Sequence, residues 1–311
     1  MNTRFILIKV GRALITMWLV VTFAFVILRA TGDPVETMLG DQADPVVVEH
    51  YRKLYGLDQP IYEQYARYFV GIARADFGVS IADDRPVVEV IAEALPATVQ
   101  LALTALIVAL IIGVPLGIVA ALNRNRALDR FVMTFAVLGF SLPNFFLGIL
   151  LILVFSMWLR ILPSSGIGTG WHLIMPAITL GTAIAGSLAR FTRSSMLEVL
   201  NKHYMRTAAA KGVPRERRIV LHALPNAAIP LLTVLGFKLG DLVAGSIIVE
   251  TVFAWPGVGR LLVSSVTRRD LAVVQGVLIW AAFTMVVANL VVDLLYGWID
   301  PRVRAVAKAK A

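Results

Sequence analysis

Apolar residues in this chain gather into long runs, separated by polar segments of very unequal length. Runs near 13–30, 98–122, 132–158, 173–189, 227–249 and 273–297 suit a hydrocarbon layer about 30 Å thick, which takes roughly 20 residues at about 1.5 Å each. The pattern predicts six helices and an all-α integral membrane protein. The run at 173–189 is the shortest, and Pro176 and Gly181 interrupt it. Two polar segments interrupt the bundle. Residues 31–95 carry Pro34, Pro45, Pro60 and Pro86, with Tyr62, Tyr65, Phe69 and Ile72 at helical spacing. This predicts an ordered cap with an amphipathic helix, packed on the helix ends. Residues 190–226 contain a strong helix former, Ala208, Ala209, Ala210 and Lys211, that stops at Gly212-Val213-Pro214. The rest of 96–297 reads as one continuous membrane domain, flanked by short tails at 1–12 and 298–311.

Charge orients this bundle. Of 29 Lys and Arg residues, 18 fall in 1–12, 123–131, 190–226 and 298–311 when segments are assigned to alternate sides. Segment 31–95 instead holds 12 acidic and 5 basic residues. This is the positive-inside pattern, and it predicts cytoplasmic termini. Topology thus accounts for most of the net charge of +9, and nucleic acid is not implied as a partner. Arg4, Lys9 and Arg12 before the first apolar run resemble a secretory signal. Leu28-Arg29-Ala30 makes a poor cleavage site, so an uncleaved signal-anchor helix is expected. With no Cys, thiol chemistry is excluded.

Polar groups inside the runs are candidate pathway residues. Ser141-Leu142-Pro143-Asn144 lies within the third run, where Pro143 cannot donate to the carbonyl of Gly139 and a kink is expected. In the fifth run Gly236, Gly240 and Ala244 form a small-residue face for close helix contact. Lys238 and Asp241 gather on another face and can pair with each other, facing an aqueous path or serving structure alone. Asp293 lies near the end of the last run. Catalytic patterns are missing: there is no Walker A sequence, no H-E-x-x-H and no G-x-S-x-G. Ser164, Ser165 and His172 share a loop without an orienting third group, so a hydrolase is disfavoured and no enzyme activity is expected.

The segment Tyr204–Pro225 exceeds what a positive-inside loop requires. Ala208–Ala210 offers little side-chain bulk, so another surface could approach its backbone, with Arg206 and Lys211 as anchors for charged groups. Here the chain resembles the permeases of type I ABC importers, whose corresponding loop reads E-A-A-x-x-x-G-x9-I-x-L-P. Ala208, Gly212, Leu224 and Pro225 match, while Arg206, Thr207 and His222 depart from that pattern. The departures resemble the dipeptide/oligopeptide/nickel branch, which includes glutathione importers, as do Tyr204, Ala210, Lys211, Asn226 and Ala227. Similar blocks extend over most of the chain: Thr31–Pro34, Gly56–Pro60, Asp76–Ser80 (with Ala75 where Gly is common), Ala189–Ser194 and Glu250–Gly259.

The resemblance implies the six-helix type I ABC importer permease fold in a bacterial inner membrane. It implies a homologous second permease, two ATP-binding subunits and an external substrate-binding protein as partners, with ATP and Mg held by the ATPases and no cofactor on this chain. Tyr204, Arg206, Thr207, Ala208, Ala209, Ala210, Lys211 and Gly212, with His222, Leu224 and Pro225, would form the coupling helix and its base. Segment 31–95 would dock the binding protein, and Glu250, Trp255, Pro256, Gly257 and Gly259 would serve an outer gate or docking surface. A di- or oligopeptide is the expected cargo, with glutathione or nickel as alternatives. No His/acid pattern builds a nickel cage. A stand-alone channel or secondary transporter is disfavoured by the docking helix and by the absence of inverted sequence halves.

Overall fold

The computed structural model describes residues 3–30, 35, 44–54, 57–80 and 82–299. The side chains of Lys238, Asp241 and Asp293, and the blocks Thr31–Pro34 and Gly56, lie outside the described residues. The described residues are overwhelmingly helical: α1 (Thr3–Ala30), α2 (Pro45–Leu54), α3 (Ile61–Ala73), α4 (Val87–Leu122), α5 (Ala127–Ser141), α6 (Asn144–Leu151, continued by a wider π-helical stretch Ile152–Trp158), α7 (Trp171–Leu200), α8 (His203–Ala210), α9 (Arg215–Arg218), α10 (Leu224–Val252), α11 (Val258–Thr267) and α12 (Leu271–Ile299). By length and composition, α1, α4, α7 and α12 can each cross a membrane, and α5 with α6 passes the same test together as one bent pair. The sixth expected crossing, α10, is continuous over 29 residues.

Several elements outrun the apolar runs that signalled them. Helix α4 has 36 residues, about 54 Å at 1.5 Å per residue, well beyond the hydrocarbon thickness. Its first turns were expected in the cap, because Glu89, Glu93 and Pro96 dilute the apolar signal. Burial decides otherwise: Val87 and Ile91 pack with Val258, Val273 and Val277 of α11 and α12. Helix α7 likewise runs past 189 to Leu200 and is the central rod of the bundle, against α4, α5 and α10.

The contact between α4 and α7 is close because glycines line it. A Cβ on Gly117 would come within 2.5 Å of the Ala189 carbonyl oxygen and of Thr192 Cβ, and one on Gly113 within 2.7 Å of the Ala185 oxygen. A Cβ on Gly181 would in return fall 2.8 Å from the Ala105 oxygen of α4, and one on Gly186 would strike the Ala136 carbonyl of α5. The small-residue row expected to act on α10 lies mostly outside the described residues. Around this seam Leu101, Ala105 and Ala109 pack with Leu180, Ile184 and Leu188. Leu103, Ile107 and Ile111 alternate with them on α4 and stay more than half exposed, as a lipid-facing stripe requires.

The described part of the cap is mostly helical and tied to the bundle. Helix α3 packs on α1 through Tyr65, 5.3 Å from Phe25 between ring centroids, and the Tyr65 and Thr22 hydroxyls lie 2.7 Å apart. Tyr62, expected on that face, is exposed instead, and Tyr68 is half-buried 5.5 Å from Phe25 with its hydroxyl oxygen out of water. Burial pushes the Tyr68 hydroxyl up to about 12. Helix α3 ends in a Schellman turn, with Asp76 N–H on the Gly71 oxygen (2.8 Å) and Ala75 N–H on the Ile72 oxygen (3.0 Å). This puts Ala75 at φ 58°, which accounts for the glycine common there. Farther on, the buried Ser80 hydroxyl donates to Asp270 (2.6 Å) between α11 and α12, fastening the cap to the last helix.

Gly117→Val should force α4 and α7 apart, since the Ala189 carbonyl oxygen and Thr192 Cβ leave no room for a side chain. The expected loss is about 1–3 kcal/mol, read as a lowered unfolding temperature in detergent.

Candidate functional site: the basic-end helix and the opposite elbow

At the end of the bundle rich in Arg and Lys, two residues separate α7 from α8. Helix α8 stops as the sequence indicates, in a second Schellman turn. Val213 N–H reaches the Ala208 oxygen (3.1 Å), Gly212 N–H reaches the Ala209 oxygen (3.0 Å), and Gly212 adopts φ +76°. The polar segment is therefore two short helices rather than one. The second, α9, continues through a wider π turn, Ile219–Ala223, into α10. Pro225 explains the widening, because it cannot donate to the Leu221 carbonyl and its ring would crowd that group.

Helix α8 stands out from the bundle on a single apolar foot. Tyr204, Arg206, Thr207, Ala209, Ala210, Lys211 and Gly212 are exposed, and Ala208 is half-buried. Met205 alone is buried, at 5% exposure, among Ala121, Met196, Val199, Ala223 and Ala227. Sequence reading missed Met205, although it is the one large aliphatic side chain in HYMRTAAA. His222 and Leu224 are half-buried on the lead-in to α10, and Pro225 is exposed.

The first turn of α5 is locked to α7 just before this helix. Arg193 forks onto Asp129 with Nε–Oδ1 at 2.6 Å and Nη2–Oδ2 at 2.7 Å, and Asn125 N–H adds a third bond to Asp129 at 2.8 Å. Asp129 is 3% exposed, so the pair is satisfied and largely out of water. The break expected at Pro143 is sharper than a kink: α5 and α6 meet at 101° across Leu142-Pro143. Ser141 and Pro143 are exposed there, and Asn144 is half-buried. Arg190 of α7 lies beside the same break, its guanidinium 5.6 Å from the Phe140 ring centroid. The other pathway candidates, Lys238 and Asp241, lie outside the described residues. His172 accepts a bond from Thr169 N–H at 3.1 Å, as a loop-bracing residue does.

At the opposite end the block 250–259 forms a tight elbow between α10 and α11. Glu250 is fully buried and accepts from the Thr98 hydroxyl (2.8 Å) and from Arg260 N–H (3.0 Å) at the start of α11. Thr98 in turn accepts from Val258 N–H at 2.8 Å, and Trp255 Nε1 donates to the Ala97 oxygen at 2.8 Å. The carboxylate thus caps α11 from another helix, satisfying an amide that its own turn leaves free. Gly257 and Gly259 admit it, since a Cβ on Gly257 would strike the Glu250 carboxylate and one on Gly259 would lie 2.9 Å from Oε2. Glu250, Trp255, Gly257 and Gly259 are buried in this elbow. Only Pro256 among them is exposed. Thr98, the hub of the elbow, gave no signal in the sequence.

With this geometry in place, the comparisons with known proteins are decisive. The family model of the binding-protein-dependent transport system inner membrane component matches residues 113–305, and that of the N-terminal part of such membrane components matches 2–102. The chain belongs to this family. It is 45% identical over 290 residues to the glutathione transport system permease protein GsiC of Escherichia coli (strain K12), a span of 93% of this chain and 95% of the relative. The same identity and coverage hold for the GsiC protein of Shigella dysenteriae serotype 1 (strain Sd197). Among solved structures, an inward-facing form of the MetNI methionine ABC transporter matches with a TM-score of 0.60 at 19% identity, covering 68% of this chain and 96% of that one. An amino acid ABC transporter matches at 0.52 and 15%, covering 69% and 94%. These last two likenesses establish the fold: an all-α type I ABC importer permease. The chain is an inner-membrane permease component of a binding-protein-dependent importer in the dipeptide/oligopeptide/nickel family.

Asp129→Asn should weaken the fork and leave Arg193 undercompensated. The expected cost is about 3 kcal/mol, read as a lower unfolding temperature in detergent, with partial recovery in the doubly neutral Asp129→Asn, Arg193→Gln chain.

Proposed function

We propose that α8 is the coupling helix of this permease, seated in a groove on a partner ATPase subunit, and that the basic end of the bundle faces the cytoplasm. The observation that carries this reading is the pairing of one buried residue, Met205, with an exposed face of small side chains, Ala209 and Ala210, flanked by Arg206 and Lys211. Such a helix can be pushed from outside without crushing, and Met205 passes the displacement to the bundle. Two ATPases, a homologous second permease and an external binding protein complete the machine. ATP-driven closure of the ATPases would tilt the bundle between inward- and outward-open states as a rigid-body switch.

The cargo we infer is a small peptide. Glutathione, itself a tripeptide, is the leading individual candidate, because the permeases 45% identical to this chain over nearly its full length are named for its transport. Uptake by the complete complex with its binding protein tests this: labelled glutathione or a dipeptide should accumulate only with ATP. Accumulation of nickel but of neither peptide would overturn the assignment.

The absence of native cysteine makes the coupling role directly testable. Ala209→Cys, expressed with an ATPase subunit carrying a groove cysteine, should crosslink with a yield that changes on adding ATP. No crosslink to any co-encoded ATPase would refute the seat. Gly212→Pro is incompatible with φ +76° and should abolish transport while membrane insertion persists. Transport at the wild-type rate would show that the helix is not the coupling element.

A further inference from the structure

Behind α8, on the side turned toward the bundle, lies a cleft of about 180 Å³. Its walls are the ends of α4 (Leu122) and α7 (Leu200), Met205 of α8, Ile219, and the cations Arg215 and Arg218 of α9. The two arginines are one turn apart on the same side of the helix. Arg218 Nε is buried and has no hydrogen-bond partner among the described residues. Neither arginine joins an ion pair there, and the intervening Glu216 is exposed on another side of the turn. A buried guanidinium N–H without an acceptor is unfavourable, so the cleft is built for an acceptor that the chain does not supply.

The surroundings say which acceptor. Val220 and Leu221 follow at once and are 57% and 54% exposed, a lipid-facing pair within about one turn of the arginines. The guanidinium groups therefore sit at headgroup depth, with hydrocarbon-compatible surface beside them. A basic pocket between spanning helices at that depth matches an anionic lipid headgroup. A free inorganic anion would make no use of Leu122, Leu200 and Ile219.

We propose that this cleft binds one anionic glycerophospholipid, its phosphate accepting from Arg215 and Arg218 and its acyl chains lying along Val220 and Leu221. Because Met205 forms a wall of the cleft, the bound lipid braces α8 from behind. The binding itself is a property of the chain alone. Its effect on transport rests on the coupling role proposed for α8.

The two are separated by measuring lipid retention first, on the full chain without any ATPase. Native mass spectrometry of the detergent-purified protein, supplied with phosphatidylglycerol or phosphatidylcholine, should show one retained phosphatidylglycerol and no matching phosphatidylcholine. Arg215→Gln with Arg218→Gln should lower that affinity at least tenfold. Arg126→Gln with Arg130→Gln, which removes equal charge from exposed sites at the same end, should leave it unchanged, and Arg218→Lys should be intermediate. Equal retention in both double variants would overturn the proposal, as would displacement of the lipid by millimolar inorganic phosphate. Loss of ATPase association with undiminished lipid retention would assign the arginines to a protein contact instead, and would equally overturn it. Each variant is first checked for an unchanged elution profile and unfolding temperature. For one that fails this check, Arg218→Lys in the native background supplies the comparison. In the reconstituted complex, transport should fall when phosphatidylcholine replaces phosphatidylglycerol. If the Ala209→Cys crosslink fails while lipid retention holds, the coupling role is lost and the lipid site stands.

Discussion

Helices α4 and α7 approach so closely that only glycine fits between their backbones at Gly113, Gly117 and Gly181, and the rest of the structure is arranged around that contact. Inside a bilayer there is no hydrophobic force to press helices together, because lipid tails are as apolar as leucine. Dispersion at short range has to do it, and it needs small residues. The seam fixes α7 as the central rod. It also sets where α5 can lie, through Gly186 on the Ala136 carbonyl, and thereby the direction of the break at Pro143.

Both ends of this seam are closed by buried polar clamps. At the basic end Asp129 and Arg193 join the start of α5 to α7. At the elbow Thr98 and Glu250 join α4 to the turn between α10 and α11. Each clamp is satisfied by two or more hydrogen bonds, as burial requires, so each resists sliding by leaving charges stranded if it opens. Between Gly117 and Thr98, α4 spans about 28 Å at 1.5 Å per residue, without interruption. Met205, α7, the glycine seam, α4 and the elbow are thus joined by one continuous line of packing.

Much was legible beforehand because it is local. The stop at Gly212 needs only a left-handed residue after a helix, and the break at Pro143 needs only a missing amide. The oddity at Ala75 likewise reduces to a positive φ. What escaped reading has long-range causes. The start of α4 at Val87 is decided by burial under α11 and α12, against the local evidence of Glu89, Glu93 and Pro96. Tyr68 rather than Tyr62 is drawn inward because of where Phe25 stands. Glu250 and Trp255 looked like an exposed loop block and are instead among the most buried side chains, since their partners Thr98 and Ala97 lie more than 150 residues away in the chain.

The sequence by itself determined that the chain is a helical membrane permease, how its basic and acidic residues divide among its segments, and where a short Ala-rich helix stops. Hydrophobic run length, charge bias and a punctuated Ala-rich segment are properties of neighbouring residues and need no fold to be read. The tertiary structure alone decided that Met205 is the foot of that helix and that Thr98 and Asp129 are hubs. It also decided that Arg215 and Arg218 share a cleft. Each of these depends on which side chains meet across helices, and in a bundle whose residues are apolar nearly everywhere, that pairing is set by shape and by a few buried hydrogen bonds rather than by pattern.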